Sequence, residues 1–207
     1  HIHITDGLII LGIIIEYLEP LLRNYHKKLL KKYRYKMEFL KKFNNKKNIR
    51  FALFKRALEM SVERNHKIIV ETGTARGKKK FIFFKKYNWK DGMSTLMFSE
   101  FVNFINGELH TCDLSAENIK NAKDFTKKFS KNVNFYIQDS IQFLENFNKK
   151  IDFLYLDSFD GHNTKLASEH QLKEAKMSLN KLNNDSIVVL DDKGTKTLFS
   201  LDFFINN

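Results

Sequence analysis

Apolar positions in the latter two-thirds of the chain follow two alternating patterns. Short continuous apolar runs recur at Lys67–Val70, Glu108–Cys112, Val133–Ile137, Ile151–Leu156 and Ser186–Leu190. Runs of this kind predict strands buried on both faces of a sheet. Between them, apolar residues fall three and four apart, as on one face of a helix. Leu96, Met97, Phe101, Phe104 and Ile105 form one such face, and Ile119, Ala122, Phe125 and Phe129 a second. Ile141, Phe143, Leu144 and Phe147 mark a short third helix, and longer patterns span 164–182 and 195–204. Strands that alternate with helices specify a parallel sheet with right-handed crossovers. The expected class is therefore α/β, with at least five strands wound on both sides of the starting strand.

Local signals sharpen the boundaries. Asp91 or Ser94 is placed to cap the helix that begins near Met93, and Gly107 falls in the favoured position past its end. Ser115 is placed to open the next helix. The stretch Lys78–Asp91 interrupts the expected passage from Gly77 into a helix. It is basic at both ends and aromatic in the middle, and predicts a loop or hairpin over the mouth of a site.

The chain before the first strand reads differently. Residues 7–22 are apolar and predict a short buried helix. Residues 23–48 predict a basic amphipathic helix carrying Leu29, Leu30, Tyr33, Met37, Leu40 and Phe43, broken at Asn44–Asn48. Residues 49–64 return to helical spacing through Phe51, Phe54, Leu58 and Val62. The expected organisation is a basic helical extension, 1–66, followed by an α/β domain, 67–207.

Charge supports that division. The net charge of +12 is split as 23 Lys/Arg against 7 Asp/Glu in residues 1–90, and 13 against 17 in residues 91–207. A positive head suggests contact with nucleic acid or another anionic surface, with solvated lysines as the plain alternative. The single Cys112 excludes an internal disulfide framework and fits a reducing, cytoplasmic setting. The apolar run Gly7–Ile15 is far shorter than the ~20 residues of a membrane span and lacks the flanks of a secretory signal. Nothing in the composition argues against a homo-oligomer.

The chemistry concentrates where the strands end. Glu71, Asp113, Asp157 and the pair Asp191-Asp192 close four of the runs, and Asp139 follows the remaining one. A single acid there is commonly a turn former or helix cap. Acids gathered at one edge repel one another unless they hold hydroxyls, amines or a metal. Gly73 and Gly77 are the only glycines in the first turn, so the G-x-G-x-x-G dinucleotide pattern is absent. The P-loop pattern fails as well, with Lys79 where Ser or Thr would bind Mg²⁺. A nucleoside without a pyrophosphate suits such a turn better, with Asp113 accepting the ribose hydroxyls.

The ordered set Val70-Glu71-Thr72-Gly73-Thr74-x-x-Gly77, Gly92-Met93-Ser94-Thr95, Asp113, Gln138-Asp139-Ser140 and Ile151–Asp157 resembles the class I S-adenosylmethionine-dependent methyltransferases. The closest pattern is the small-molecule O-methyltransferase branch that includes catechol and macrocin O-methyltransferases. The resemblance covers about residues 66–204 and implies a Rossmann-like fold. It implies that Glu71, Gly73 and Gly77 line the methionine part of S-adenosylmethionine, that Thr74 also belongs to the cofactor site, and that Ser94 meets the methionine carboxylate. By the same resemblance Asp113 holds the ribose, and Asp139 and Ser140 contact adenine. Asp157, Asp191 and Asp192 match the ligands of Mg²⁺ in the metal-dependent members. The implied reaction is methylation of a hydroxyl on a small molecule or sugar.

The departures are specific. Asp160 stands where catechol-type enzymes carry a lysine base, leaving Asp157, Asp160 and His162 as catalytic candidates. The usual sixth and seventh strands have no counterpart after Asp192. Two other readings compete with the enzyme of small molecules. One is a nucleic-acid methyltransferase or binder using the basic head, although Asp157-Ser158-Phe159-Asp160 is not the signature of base amino methylation. The other is a non-catalytic interaction domain on the same fold.

Overall fold

Strand β1, Ile68–Thr72, lies at the centre of a five-stranded sheet, and its side chains are buried nearly throughout. The computed structural model describes residues 37–81, 84–89 and 93–207, with side chains left out at 78–81 and 84–87. The chain divides into two units, His1–Glu38 and Phe39–Asn207. The second holds the sheet. The predicted helix over 7–22 and most of that over 23–48 lie outside the described residues. At its end the latter runs as a 3-10 helix, Glu38–Phe43, followed by turns.

Helix α1, Phe51–Glu63, precedes β1. It belongs to the same compact unit as the sheet. The reason is aromatic packing. Phe54 is fully buried, with its ring edge-on to Tyr155 at 5.0 Å and to Phe98 at 5.3 Å. An aromatic side chain buries a large area, and edge-to-face pairs add to that gain.

After β1 the chain forms a hairpin, β2 (Lys78–Phe81) and β3 (Phe84–Tyr87), in antiparallel register with Lys78 opposite Tyr87. The amide of Asn88 donates to the Gly77 carbonyl at 2.8 Å and closes the hairpin base. The described residues of the insertion thus pair as a hairpin. Then follow α2 (Ser94–Ile105), β4 (Glu108–Asp113), α3 (Ala116–Thr126), β5 (Val133–Ile137), α4 (Ser140–Asn146), β6 (Phe153–Leu156), α5 (Thr164–Ser178), β7 (Ile187–Leu190) and α6 (Ser200–Asn206).

All five sheet strands are parallel, in the order β5-β4-β1-β6-β7. Strand β6 shows why two layers of helices are needed. Phe153 and Tyr155 point to the face shared with Phe98, while Leu154 and Leu156 join Val70, Phe143, Leu144 and Phe147 in the opposite core. Side chains alternate along a strand, so a strand buried on both faces must be apolar throughout. The order reverses direction beside β1, and ligands in open α/β sheets bind at the carboxyl ends near such a switch.

Two helix termini depart from the expected caps. Met93, in the left-handed region at φ 51°, occupies the N-cap position of α2, and Ser94 is its first residue. The Ser94 hydroxyl donates instead to the buried Glu71. At the other end Asn106, φ 51°, takes the left-handed position assigned to Gly107. Gly107 is required for closeness: a Cβ there would stand 2.5 Å from the Lys67 carbonyl oxygen. Among the described residues, no helix is long and apolar enough to cross a membrane.

Candidate active site

The ends of β1, β4, β6 and β7 open into one polar cavity of about 350 Å³, lined among others by Gly73, Thr74, Ser94, Asp113, Asp157, Asp160 and Asp191. The turn after β1 creates this space. Gly73 has φ +80°, and a Cβ on it would lie 2.4 Å from the carbonyl oxygen of Asp157. Only glycine lets the first turn settle against the end of β6. Gly77 also has positive φ, but a Cβ there would strike the Phe125 ring, and it does not line the cavity.

Glu71 is completely buried and stands behind the cavity wall. Its carboxylate accepts hydroxyl hydrogen bonds from Ser94 at 2.5 Å, Thr95 at 2.8 Å and Thr111 at 2.7 Å. Burial pushes its pKa up to about 7 despite those three donors. In the sequence Thr95 stands out only as the last residue of the Gly92–Thr95 motif, and Thr111 has no signal, because a threonine in a strand is unremarkable. Thr95 also accepts from the Ala75 amide at 2.8 Å, which ties the first turn to α2.

Asp113, the last residue of β4, gathers several donors. It accepts from the Thr74 amide at 3.2 Å and hydroxyl at 3.0 Å, from the Ser115 amide at 2.7 Å and from Asn118. Asp139 caps α4 by accepting from the amides of Ile141 and Gln142. With Ser140 it lines a second cleft of about 210 Å³, beside Leu114, Phe159 and His170. This cleft shares Gly73, Asp113 and Ser158 with the main cavity. Ser140 bonds His170 Nε2 at 2.9 Å, and Ser158 donates to the buried Glu174 at 2.7 Å. His170 and Glu174 lie within the long α5 pattern, where nothing in the spacing separates them from surface residues.

Asp157, Asp191 and Asp192 come together as expected, but two cations hold them. Lys196 Nζ lies 2.5 Å from Asp157, 3.6 Å from Asp191 and 3.5 Å from Asp192. Arg50 pairs with Asp191 through both Nε and Nη2, the latter at 2.7 Å, and with Asp192 at 3.1 Å. Burial would raise Asp191, yet the guanidinium bonds and the neighbouring ammonium outweigh it and bring its pKa to about 2. Asp157 moves upward, from burial first and then from the Asp191 charge, with Lys196 opposing. Lys196 itself is raised: burial opposes its charge, and the three carboxylates more than compensate.

A Mg²⁺ ion needs free carboxylate oxygens in near-octahedral array. Here the carboxylates expected to provide them are occupied by Arg50 and Lys196, and no group of three His, Cys, Asp or Glu among the described residues is arranged to hold a metal. The residues as placed do not fit the ion. They do fit the cofactor: a glycine turn, a carboxylate with neighbouring donors, and a partly apolar cleft lie side by side.

The remaining candidates separate. Asp160 pairs with Arg76 at the cavity rim, both well exposed. His162 is exposed and does not line the cavity.

Solved structures with similar folds include the SAH-bound methyltransferase PaMTH1 of Podospora anserina, at 17% identity and TM-score 0.49, covering 66% of this chain and 50% of that one. A methyltransferase homolog protein from Pyrococcus horikoshii matches at 14% and 0.47, covering 73% and 49%. An S-adenosylmethionine-dependent methyltransferase from Clostridium acetobutylicum matches at 15% and 0.36, covering 66% and 49%. The chain spans about half the length of each of these three proteins. No match was found among curated proteins. The decisive comparison is with a family model described as a methyltransferase domain, which matches residues 89–193, from the lead-in to α2 to just past β7. That span is just over half of the 207 residues and contains four of the five sheet strands, so the chain belongs to the methyltransferase domain family and carries its class I fold.

Proposed function

We propose that this chain transfers a methyl group from S-adenosylmethionine to a hydroxyl of a small polar acceptor. The observation that carries the reading is the continuity of one cavity from Gly73, Ser94 and Asp113 to Asp157 and Lys196. The first end suits a nucleoside and an amino acid, and the second end is open to an acceptor.

When bound, S-adenosylmethionine supplies the electrophilic methyl group. The chain's residues position and hold. Asp113 receives the ribose hydroxyls, for which the Thr74 hydroxyl must yield its place. Asp139, Ser140 and the flanking Leu114 and Phe159 take the adenine. Gly73 and Thr74 border the methionine part, with the Ser94 end of α2 facing its carboxylate. Glu71 acts from behind by fixing Ser94 and Thr95. Asp157 accepts the acceptor's hydroxyl proton on its carboxylate, whose basicity is increased by burial. No step is assigned to Mg²⁺, because Asp157, Asp191 and Asp192 are ion-paired. No role is assigned to His162, and Asp160 serves the rim with Arg76.

The strongly polar lining favours a polyol or sugar over an apolar ring. Isothermal calorimetry with S-adenosylmethionine and S-adenosylhomocysteine tests the reading. Binding is expected in the folded chain and lost in Asp113→Ala. Absence of binding by a protein with a cooperative unfolding transition would sink it.

A further inference from the structure

Three carboxylates at adjoining strand ends repel unless positive charge lies between them. In many proteins a divalent cation supplies it. Here the chain supplies it from two distant segments. After β7, Asp192 adopts φ 51° and Gly194 φ 86°, and the amides of Thr195 and Lys196 both donate to the Asp192 carbonyl, at 3.1 and 3.2 Å. This tight return carries Lys196 back over the strand ends. Its side chain is only 5% exposed, and its ammonium lies within 4 Å of one oxygen from each of the three aspartates. An ammonium is a compact point charge with three donors, so it can serve three acceptors at once. Arg50 meets Asp191 with its planar fork from the other side.

We propose that the Lys196 ammonium occupies the place of a divalent cation, with Arg50 completing the neutralisation. The site is a cage with a built-in cation and binds no divalent metal. Lys196 is then a positioning residue that holds Asp157 toward the acceptor hydroxyl. This last role rests on the proposed methyl transfer. The occupancy of the cage does not.

The test is a titration with Mn²⁺, read by electron paramagnetic resonance without any cofactor. The wild-type chain is expected to bind no Mn²⁺ below about 1 mM. Lys196→Met removes the charge and should expose the carboxylates, giving a Kd of about 10⁻⁴–10⁻³ M, the range of weak oxygen-ligand sites, and at least about tenfold tighter than wild type. Adding Asp157→Asn to that variant should abolish the new site. Lys196→Gln, which keeps a donor for Asp157 without the charge, replaces Lys196→Met if the latter does not fold. Wild-type binding below 1 mM overturns the proposal, even if neither variant folds. A folded charge-free variant that binds no Mn²⁺, or binding that survives Asp157→Asn, overturns it too. Because S-adenosylmethionine is absent, a failed cofactor-binding experiment leaves the result intact, and the reverse also holds.

Discussion

Arg50 Nη2 lies 2.7 Å from Asp191 Oδ2, although 141 residues separate them. Arg50 is the N-cap residue of α1 and Asp191 follows the last strand of the sheet. The side chain of Asp191 is 5% exposed, so its charge depends on this partner. Removing one member of a buried pair leaves the other unpaired, which costs more than the pair contributes. Arg50→Met should destabilise the fold by about 3 kcal/mol, at the low end for buried pairs because the guanidinium keeps 23% exposure. Arg50→Lys should recover only part, since it cannot bond both carboxylate oxygens in a fork. Urea denaturation of the three proteins measures this.

Phe54 sits one turn after Arg50, its amide bonded to the Arg50 carbonyl at 3.1 Å. Its ring anchors α1 on Tyr155 and Phe98. Phe54→Ala should cost about 3–5 kcal/mol, the usual range for emptying a buried aromatic site. It should also release Arg50 from Asp191. In a double-mutant cycle, Phe54→Ala and Arg50→Met should therefore sum to less than their separate effects.

Glu71 makes stability depend on pH in an unusual direction. Its folded pKa, about 7, lies above the ordinary 4.5. Below about 4.5 both folded and unfolded chains hold the proton, and Glu71 contributes nothing to the pH dependence. Between about 4.5 and 7 the unfolded chain releases it while the folded chain keeps it, so stability falls as pH rises. At about 1.36 kcal/mol per pH unit the full loss is about 3 kcal/mol, complete above pH 7. Glu71→Gln should flatten this slope. Urea midpoints from pH 4 to 8 check it, and an unchanged slope in the variant would refute it.

Gly73→Ala should damage the site more than the fold. The added methyl would meet the Asp157 carbonyl oxygen at 2.4 Å, at a backbone angle that L-residues avoid. The first turn must lift from β6, which moves Thr74 away from Asp113. S-adenosylhomocysteine affinity should drop by at least about tenfold, or 1.4 kcal/mol, by calorimetry. Ala75→Gly, in the same turn but without the clash, should retain binding.

Periodicity made the sheet legible. Central strands buried on both faces must be apolar throughout, and the helices between them must show an apolar stripe, so Ile68–Thr72 and Phe153–Leu156 stood out. The strand-end acids were legible too, because each strand delivers its last residue to the same edge. Partners at a distance were not. Arg50 reaches Asp191 through the docking of Phe54, and Lys196 reaches Asp157 through a tight return after β7. Neither contact leaves a local pattern. The same holds for α1, which joins the sheet's unit by aromatic packing that spacing along the chain does not record. The sequence by itself determined an α/β sheet with acids along one edge, since that follows from which residues can be buried in regular structure. Only the tertiary structure decided that those acids are neutralised from within. Charge pairing acts over a few ångströms of space, whatever the separation along the chain.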